Sequence, residues 1–191
     1  MNNQRRTAWE DRHRGASQPG EPEPSVVEML PLLKHGLALD VAAGTGRNSL
    51  ALARAGIHVV AADFSVNAIR ILAGTARRED LSIMPVVADL EESFPFRARS
   101  FDTVVNVSFL SRPIVPYLKE ALRVGGVLLF DTFLIDQAET GHPRDPAFLL
   151  KHYELRELLA GMELLRYREG VVAYPENKSA WRAVALARRT S

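Results

Sequence analysis

Apolar residues along this chain fall into two rhythms that alternate. Short runs occur at Leu37 to Val41, broken only by Asp40, and at Ile57 to Ala62, Ser82 to Ala88, Phe101 to Val107 and Val127 to Phe130. Runs this short, bounded by glycines or acids, predict strands buried on both faces, because a half-buried strand would alternate. Between them lie stretches with apolar positions three and four apart. These are Arg47 to Ala55, stopped by Gly56, then Ser65 to Ala76 with Val66, Ile69, Ile71 and Leu72, and a short one near Ile114 to Arg123. That spacing lays an apolar stripe along a helix.

The ends of the chain extend the pattern. Ser25 is expected to cap a helix carrying Val26, Val27, Met29 and Leu30 and ending around Lys34 to Gly36. Gly125 and Gly126 are expected to turn the chain into its fifth strand, which ends on Asp131. Ala147 to Ala160 reads as an amphipathic helix with Phe148, Leu149, Leu155, Leu158 and Leu159, stopped by Gly161. Met162 to Tyr174 and Lys178 to Ala187 then read as two strands around the turn 175–177. Strands alternating with helices pair in parallel, and strands joined by a turn pair antiparallel. The expected fold class is α/β: a Rossmann-like, doubly wound, seven-stranded, mostly parallel sheet with a C-terminal antiparallel hairpin and helices on both faces.

Residues 1–24 are set apart by composition. Met1 to Arg14 is polar, with Trp9 its only large apolar group, and could form one short helix. Gly15 to Pro24 (GASQPGEPEP) reads as a proline-broken connector. The expected organisation is a flexible N-terminal segment, 1–24, followed by a single domain, 25–191. Asp136 to Pro146 is the one long polar loop of the second half.

Charge and composition remove several classes of function. Lys and Arg total 24 against 23 Asp and Glu, a net charge of +1, so no bulk field draws the chain to nucleic acid or a membrane. The basic pairs Arg77/Arg78, Arg97/Arg99 and Arg188/Arg189 are scattered, which argues against an RNA surface. The absence of cysteine excludes disulfides, thiolate metal sites and a cysteine nucleophile. No apolar run approaches the ~18 residues of a membrane span, and the N-terminal residues lack an apolar signal core. A soluble, cytoplasmic protein with no membrane partner and no metal is expected; oligomeric state is left open.

The candidate chemistry lies in Leu37 to Asp63, LALDVAAGTGRNSLALARAGIHVVAAD. Strand, small-residue turn, helix, strand and acid make half of a nucleotide-binding unit. Ala42, Gly44 and Gly46 let backbone approach a ligand, and the helix after them points free N–H groups at the turn. Asp63, seventeen positions beyond Gly46 (63 minus 46), is placed at a strand end to accept both hydroxyls of a ribose. Asp89, after the third strand, suits the exocyclic amine of adenine, with Leu90 and the apolar residues after it packed on the base. Each has a plainer alternative: Asp63 as a helix cap, Asp89 as an exposed acid in an acidic turn. Asp131 suits a cap or a partner for an arginine at least as well as a substrate contact. The turn reads A-x-G-x-G, with Asp40 two residues before it, and has no small residue at Ser49 as a dinucleotide fingerprint would require. An acid at the end of the first strand can reach an ammonium, directly or through water. Adenosine joined to an amino acid through sulfur is S-adenosylmethionine.

The chain resembles the class I S-adenosylmethionine-dependent methyltransferases, and among them the tellurite-resistance branch of small methyltransferases. The resemblance is carried by LDVAAGTGRNSLALA (39–53), AADFSVNAI (61–69), VVADLEE (86–92), FDTVVNVSFL (101–110), GGVLLFDTF (125–133), ELRELLAGMELLRYREGV (154–171) and AVALARR (183–189). It spans Leu37 to Arg189. The chain departs from the pattern at Ala42, where glycine is frequent, and at Ala43, where cysteine is. The resemblance implies cofactor contacts at Asp40, Ala42, Gly44, Gly46, Asp63, Phe64, Asp89, Leu90 and Asn106, the last through its backbone oxygen to the methionine ammonium. It also implies a small-molecule methyl acceptor and the product S-adenosylhomocysteine. WEDRHR (9–14) is similar to the segment that closes over the methionine end in such enzymes, although a surface helix is the plainer reading.

The implied reaction is in-line displacement on the sulfonium methyl by a thiol, a selenite- or tellurite-like oxyanion or another small metabolite. It needs alignment more than a strong base. His142 could deprotonate such a substrate and Arg144 could attract an anion, although a solvated loop is the plainer reading of each. Two alternatives stand beside this reading. One is methylation of a nucleobase amine or RNA, for which Asn106 to Phe109 offers an N-x-x-F sequence lacking its usual prolines. The other is an adenosine-binding module without catalysis.

Overall fold

Asp40, Val41 and their neighbours sit in an interior strand of a seven-stranded sheet because both faces of that strand are covered. The computed structural model describes residues 18–175 and 178–191. The helix expected around Trp9, the WEDRHR segment and residues 176–177 of the last turn lie outside the described residues. The sheet is built from β1 (Leu37–Val41), β2 (His58–Asp63), β3 (Ile83–Val87), β4 (Phe101–Val107), β5 (Leu122–Phe133), β6 (Glu163–Ala173) and β7 (Ser179–Arg188), in the order β3-β2-β1-β4-β5-β7-β6. β1 to β5 pair in parallel, and β7 runs antiparallel between β5 and β6. The expected doubly wound sheet with its terminal hairpin is therefore what forms.

Helices cover both faces. α1 (Pro24–Met29), α2 (Arg47–Arg54) and α3 (Val66–Arg78) bury Val26, Leu50 and Leu72 against Ala38, Val59, Val105 and Leu129. α4 (Val115–Ala121), the small α5 (Gln137–Thr140) and α6 (Glu154–Leu158) follow β4 and β5; Leu118 and Leu155 pack with Leu39, Val104 and Phe130 on the other face. β3 is an edge, which is why it tolerates Pro85 and leaves Met84 and Val87 exposed. Parallel strands buried on both faces put the loops after β1, β2, β4 and β5 on one rim, where open α/β sheets bind ligands.

Four expectations change. α1 begins at Pro24, and Ser25 does not cap it: the Ser25 hydroxyl donates across the sheet to Asp131 Oδ2. Glu23, assigned above to the flexible segment, is buried against Asn48 and Arg47. Gly125 and Gly126 lie inside β5 as a bulge between the Phe101·Leu122 and Thr103·Val127 pairs. A Cβ at Gly126 would stand 3.0 Å from the Asp102 carbonyl oxygen, so glycine permits the close approach. The helix expected over Ala147 to Ala160 is two pieces, a 3-10 turn at Pro146–Phe148 and α6, separated by Tyr153 at φ 65°. Arg112 explains the break, because its guanidinium takes the Leu149 carbonyl at 2.9 Å and binds the Glu154 carboxylate through two nitrogens.

Candidate functional site

Two of the expected contacts meet through a single side chain. The Asp63 carboxylate, at the rim end of β2, accepts the Gly44 N–H at 2.8 Å on Oδ2 and the Ser65 N–H at 2.8 Å on Oδ1. It therefore braces the small-residue turn after β1 against the start of α3. Ala42, Asp63, Phe64, Asp89 and Leu90 line one cleft, together with Ala88, Glu91 and Phe109. The cleft has a carboxylate at one side and aromatic and aliphatic walls. Phe109 was not expected from the sequence as a cofactor contact, since its place depends on how the chain leaves β4.

The turn itself explains which small residues are needed and why. Gly46 has φ 91° and precedes α2, and a Cβ there would fall 2.1 Å from Leu72 Cδ1. Its bareness therefore also admits the packing of α3, a reason the turn sequence does not show. Ala42 is left-handed at φ 51°, a conformation that costs an L-residue about 1–2 kcal/mol. Ala42→Gly is expected to raise the thermal midpoint by about 2–4 °C, partial relief of that strain being set against the entropy of glycine. An unchanged or lower midpoint in calorimetric unfolding would show that the strain is absorbed elsewhere.

Asp40 and Asn106 lie below the cleft. Asp40 is 1% exposed, is not among the cleft-lining residues, and accepts the Ser49 hydroxyl at 2.6 Å. Burial pushes its carboxyl up to about 7, against the lowering influence of Ser49 and Arg47. Asn106, 1% exposed at the rim end of β4, donates through Nδ2 to the Phe109 carbonyl at 2.8 Å. That bond fixes the amide orientation and leaves Oδ1 buried without a hydrogen-bond partner among the described residues. A buried orphaned acceptor costs stability unless a donor arrives.

His142 and Arg144 are not brought to the cleft. Both are exposed; Arg144 Nε donates to the Gly141 carbonyl at 3.2 Å, and the His142 carbonyl accepts from Gln137. Asp131 is engaged as the sequence allowed, as a partner for an arginine. Its carboxylate accepts Arg182 Nε at 2.6 Å and the Ser25 hydroxyl, and both Asp131 and Arg182 are buried. Glu23 lies 3.8 Å from the same Arg182 nitrogen, binds Arg47 Nη2 at 2.8 Å, and accepts the Tyr174 hydroxyl. Neither Glu23, Tyr174 nor Arg182 was singled out from sequence, Ser25 was expected only as a helix cap, and no local pattern joins positions 151 residues apart. The only available signal was an arginine inside an otherwise apolar strand, Ala180 to Ala187.

Comparison with known proteins adds an independent line. Residues 38–125 match a family described as a methyltransferase domain. Over 143 residues the chain is 36% identical to a demethylmenaquinone methyltransferase of Paenarthrobacter aurescens, covering 71% of this chain and 51% of that protein. Over 155 residues it is 30% identical to a probable S-adenosyl-L-methionine-dependent methyltransferase, TehB, of Haemophilus influenzae, covering 76% and 52%. The crystal structure of TehB from that organism superposes with a TM-score of 0.75 at 26% identity, covering 88% of this chain and 62% of the other. The chain spans about half the length of the curated relatives it matches.

Proposed function

The chain belongs to the class I S-adenosylmethionine-dependent methyltransferases, in the branch that includes TehB, and from that premise we propose that it moves a methyl group from S-adenosylmethionine to a small nucleophile. The observation that carries the proposal is the joining of Gly44, Asp63 and Ser65 beside a cleft walled by Phe64, Leu90 and Phe109. In this reading Asp63 holds the ribose, Asp89 and Leu90 hold the adenine, and Ala42, Gly44 and Gly46 shape the turn beneath. The orphaned Asn106 Oδ1 supports the fit, because the methionine ammonium brings the donor that this buried oxygen lacks. When bound, the cofactor supplies a methyl group already activated by its sulfonium. The chain's part is alignment and exclusion of water, which together can supply about 7–11 kcal/mol of a barrier.

Asp40 gives the reading a pH signature. Its folded value of about 7 stands above the 3.8 of an ordinary aspartate, so the folded protein holds this proton and loses stability as pH rises from 4 through 7. A bound ammonium favours the ionised carboxylate. Affinity for S-adenosylmethionine is therefore expected to rise about tenfold between pH 6 and pH 8, and Asp40→Asn to flatten that rise, both read by titration calorimetry. A pH-independent affinity in the unsubstituted protein would place Asp40 outside the electrostatic reach of the cofactor.

The acceptor class is tested by incubation with methyl-labelled S-adenosylmethionine and a panel of thiols, selenite, tellurite, demethylmenaquinone and RNA. Label is expected on a thiol or a chalcogen oxyanion. Transfer to RNA alone, or cofactor binding with no transfer to any member, would overturn the small-nucleophile reading. The second outcome is that of an adenosine-binding module.

A further inference from the structure

Ser108 follows β4 by one residue, on the same rim as the turn after β1, since Asn106 pairs in parallel with Val41. It holds φ 56°, a left-handed conformation that a non-glycine residue keeps only when its surroundings impose it. Two contacts impose it. The Ser108 N–H donates to the Asp131 carbonyl at 2.8 Å, and Arg182 Nη2 donates to Ser108 Oγ at 2.9 Å. Arg182 is itself immobile, 2% exposed, paired with Asp131 and lying 4.3 Å from the centre of the Phe133 ring.

An oxygen that accepts from a guanidinium must turn its own proton elsewhere, and among the described residues no acceptor receives it. A cation on the oxygen also makes that proton a stronger donor. Arg182 Nη1 has no hydrogen-bond partner among the described residues, and the residue lines a cavity of about 190 Å³ beside Arg168, Gly170 and Val172. The nearby carboxylates are engaged: Asp131 by Arg182 and Ser25, Glu23 by Arg47 and Tyr174. Glu169, which lines the same cavity, accepts from the Tyr153 N–H and the Tyr167 hydroxyl, so these carboxylates are all paired among the described residues.

We propose that Ser108, held by Arg182, binds and orients the methyl acceptor, and that the acceptor carries a carboxylate or comparable oxyanion beside its nucleophile. Ser108 touches the acceptor; Arg182 is a positioning residue acting through it. The proposal rests on the methyltransferase reading and deepens it.

The test compares mercaptoacetate with 2-mercaptoethanol, two thiols that differ in the carboxylate. The unsubstituted protein is expected to prefer mercaptoacetate by about tenfold in KM, the scale of one hydrogen bond to a charged group. Ser108→Gly suits the left-handed backbone and removes the hydroxyl. It should abolish that preference through KM rather than kcat, with the thermal midpoint held or raised and the S-adenosylmethionine dissociation constant retained. Ser108→Asn, which also tolerates this backbone and returns a donor, should recover most of the preference. Equal use of both thiols by the unsubstituted protein, turnover of neither, or a preference that survives Ser108→Gly overturns the proposal while leaving cofactor binding intact. Absence of S-adenosylmethionine binding in the unsubstituted protein removes the methyltransferase reading, and this proposal with it.

Discussion

Asp63→Ala is expected to weaken S-adenosylmethionine binding at least tenfold, and by up to about a hundredfold, in titration calorimetry. Each tenfold is about 1.4 kcal/mol, the scale of one hydrogen bond to a charged group. The carboxylate has two duties at once. It receives the Gly44 and Ser65 N–H groups at 2.8 Å each, and it stands at the side of the cleft where a ribose diol would lie. Alanine removes the ligand contact and also leaves two backbone donors at a nearly buried site without their acceptor, at about 1–3 kcal/mol each. A lower thermal midpoint should therefore accompany the loss of affinity. Asp89→Ala separates the two effects. Asp89 is partly exposed, and its carboxylate accepts the Glu91 N–H at 3.1 Å in an exposed turn, so its loss should weaken binding with little change in unfolding. Unaltered affinity after Asp63→Ala would exclude Asp63 from the ligand site, whatever happens to the midpoint.

The sheet was legible because its central strands are buried on both faces. Phe101–Val107 has the bounds that its apolar run predicted, and β1 and β2 lie within one residue of theirs. The cleft residues were legible for a related reason: Ala42, Asp63, Phe64, Asp89 and Leu90 lie at or just beyond strand ends, and strand ends can be counted along the chain. Errors arose where a distant side chain overrode local pattern. The periodicity of Phe148 to Leu159 is real, yet Arg112, from the other side of the loop, takes the Leu149 carbonyl and Glu154 and breaks the helix in two. Ser25 has the chemistry of a cap, but its partner is Asp131, 106 residues away. The packing of Leu72 against Gly46 is equally absent from the turn sequence. Ser108 was invisible for the same reason, its conformation being dictated by Asp131 and Arg182.

The buried ion pair makes the largest expected effect on stability. Arg182→Met should destabilise the protein by about 3–5 kcal/mol, the usual cost of removing one partner of such a pair, and so lower the midpoint by about 10 °C or more. The stacking on Phe133 survives in part, since methionine keeps an unbranched apolar stem. What is lost is the charge between Asp131 at 2.6 Å and Glu23 at 3.8 Å, which leaves two buried carboxylates facing each other. Burial, with Glu23 nearby, already pushes the Asp131 carboxyl above its usual range in spite of Arg182. Without the arginine it should rise further and take up a proton on folding. An acid whose folded value is raised contributes stability at low pH and loses it as pH climbs through that value. The deficit of Arg182→Met should thus be small near pH 5 and large near pH 8, followed by urea unfolding across that range. Adding Asp131→Asn removes the stranded charge, and the double variant should be more stable than Arg182→Met alone at pH 8. A deficit independent of pH, or losses that simply add, would mean that Arg182 supports the sheet through packing rather than through its charge.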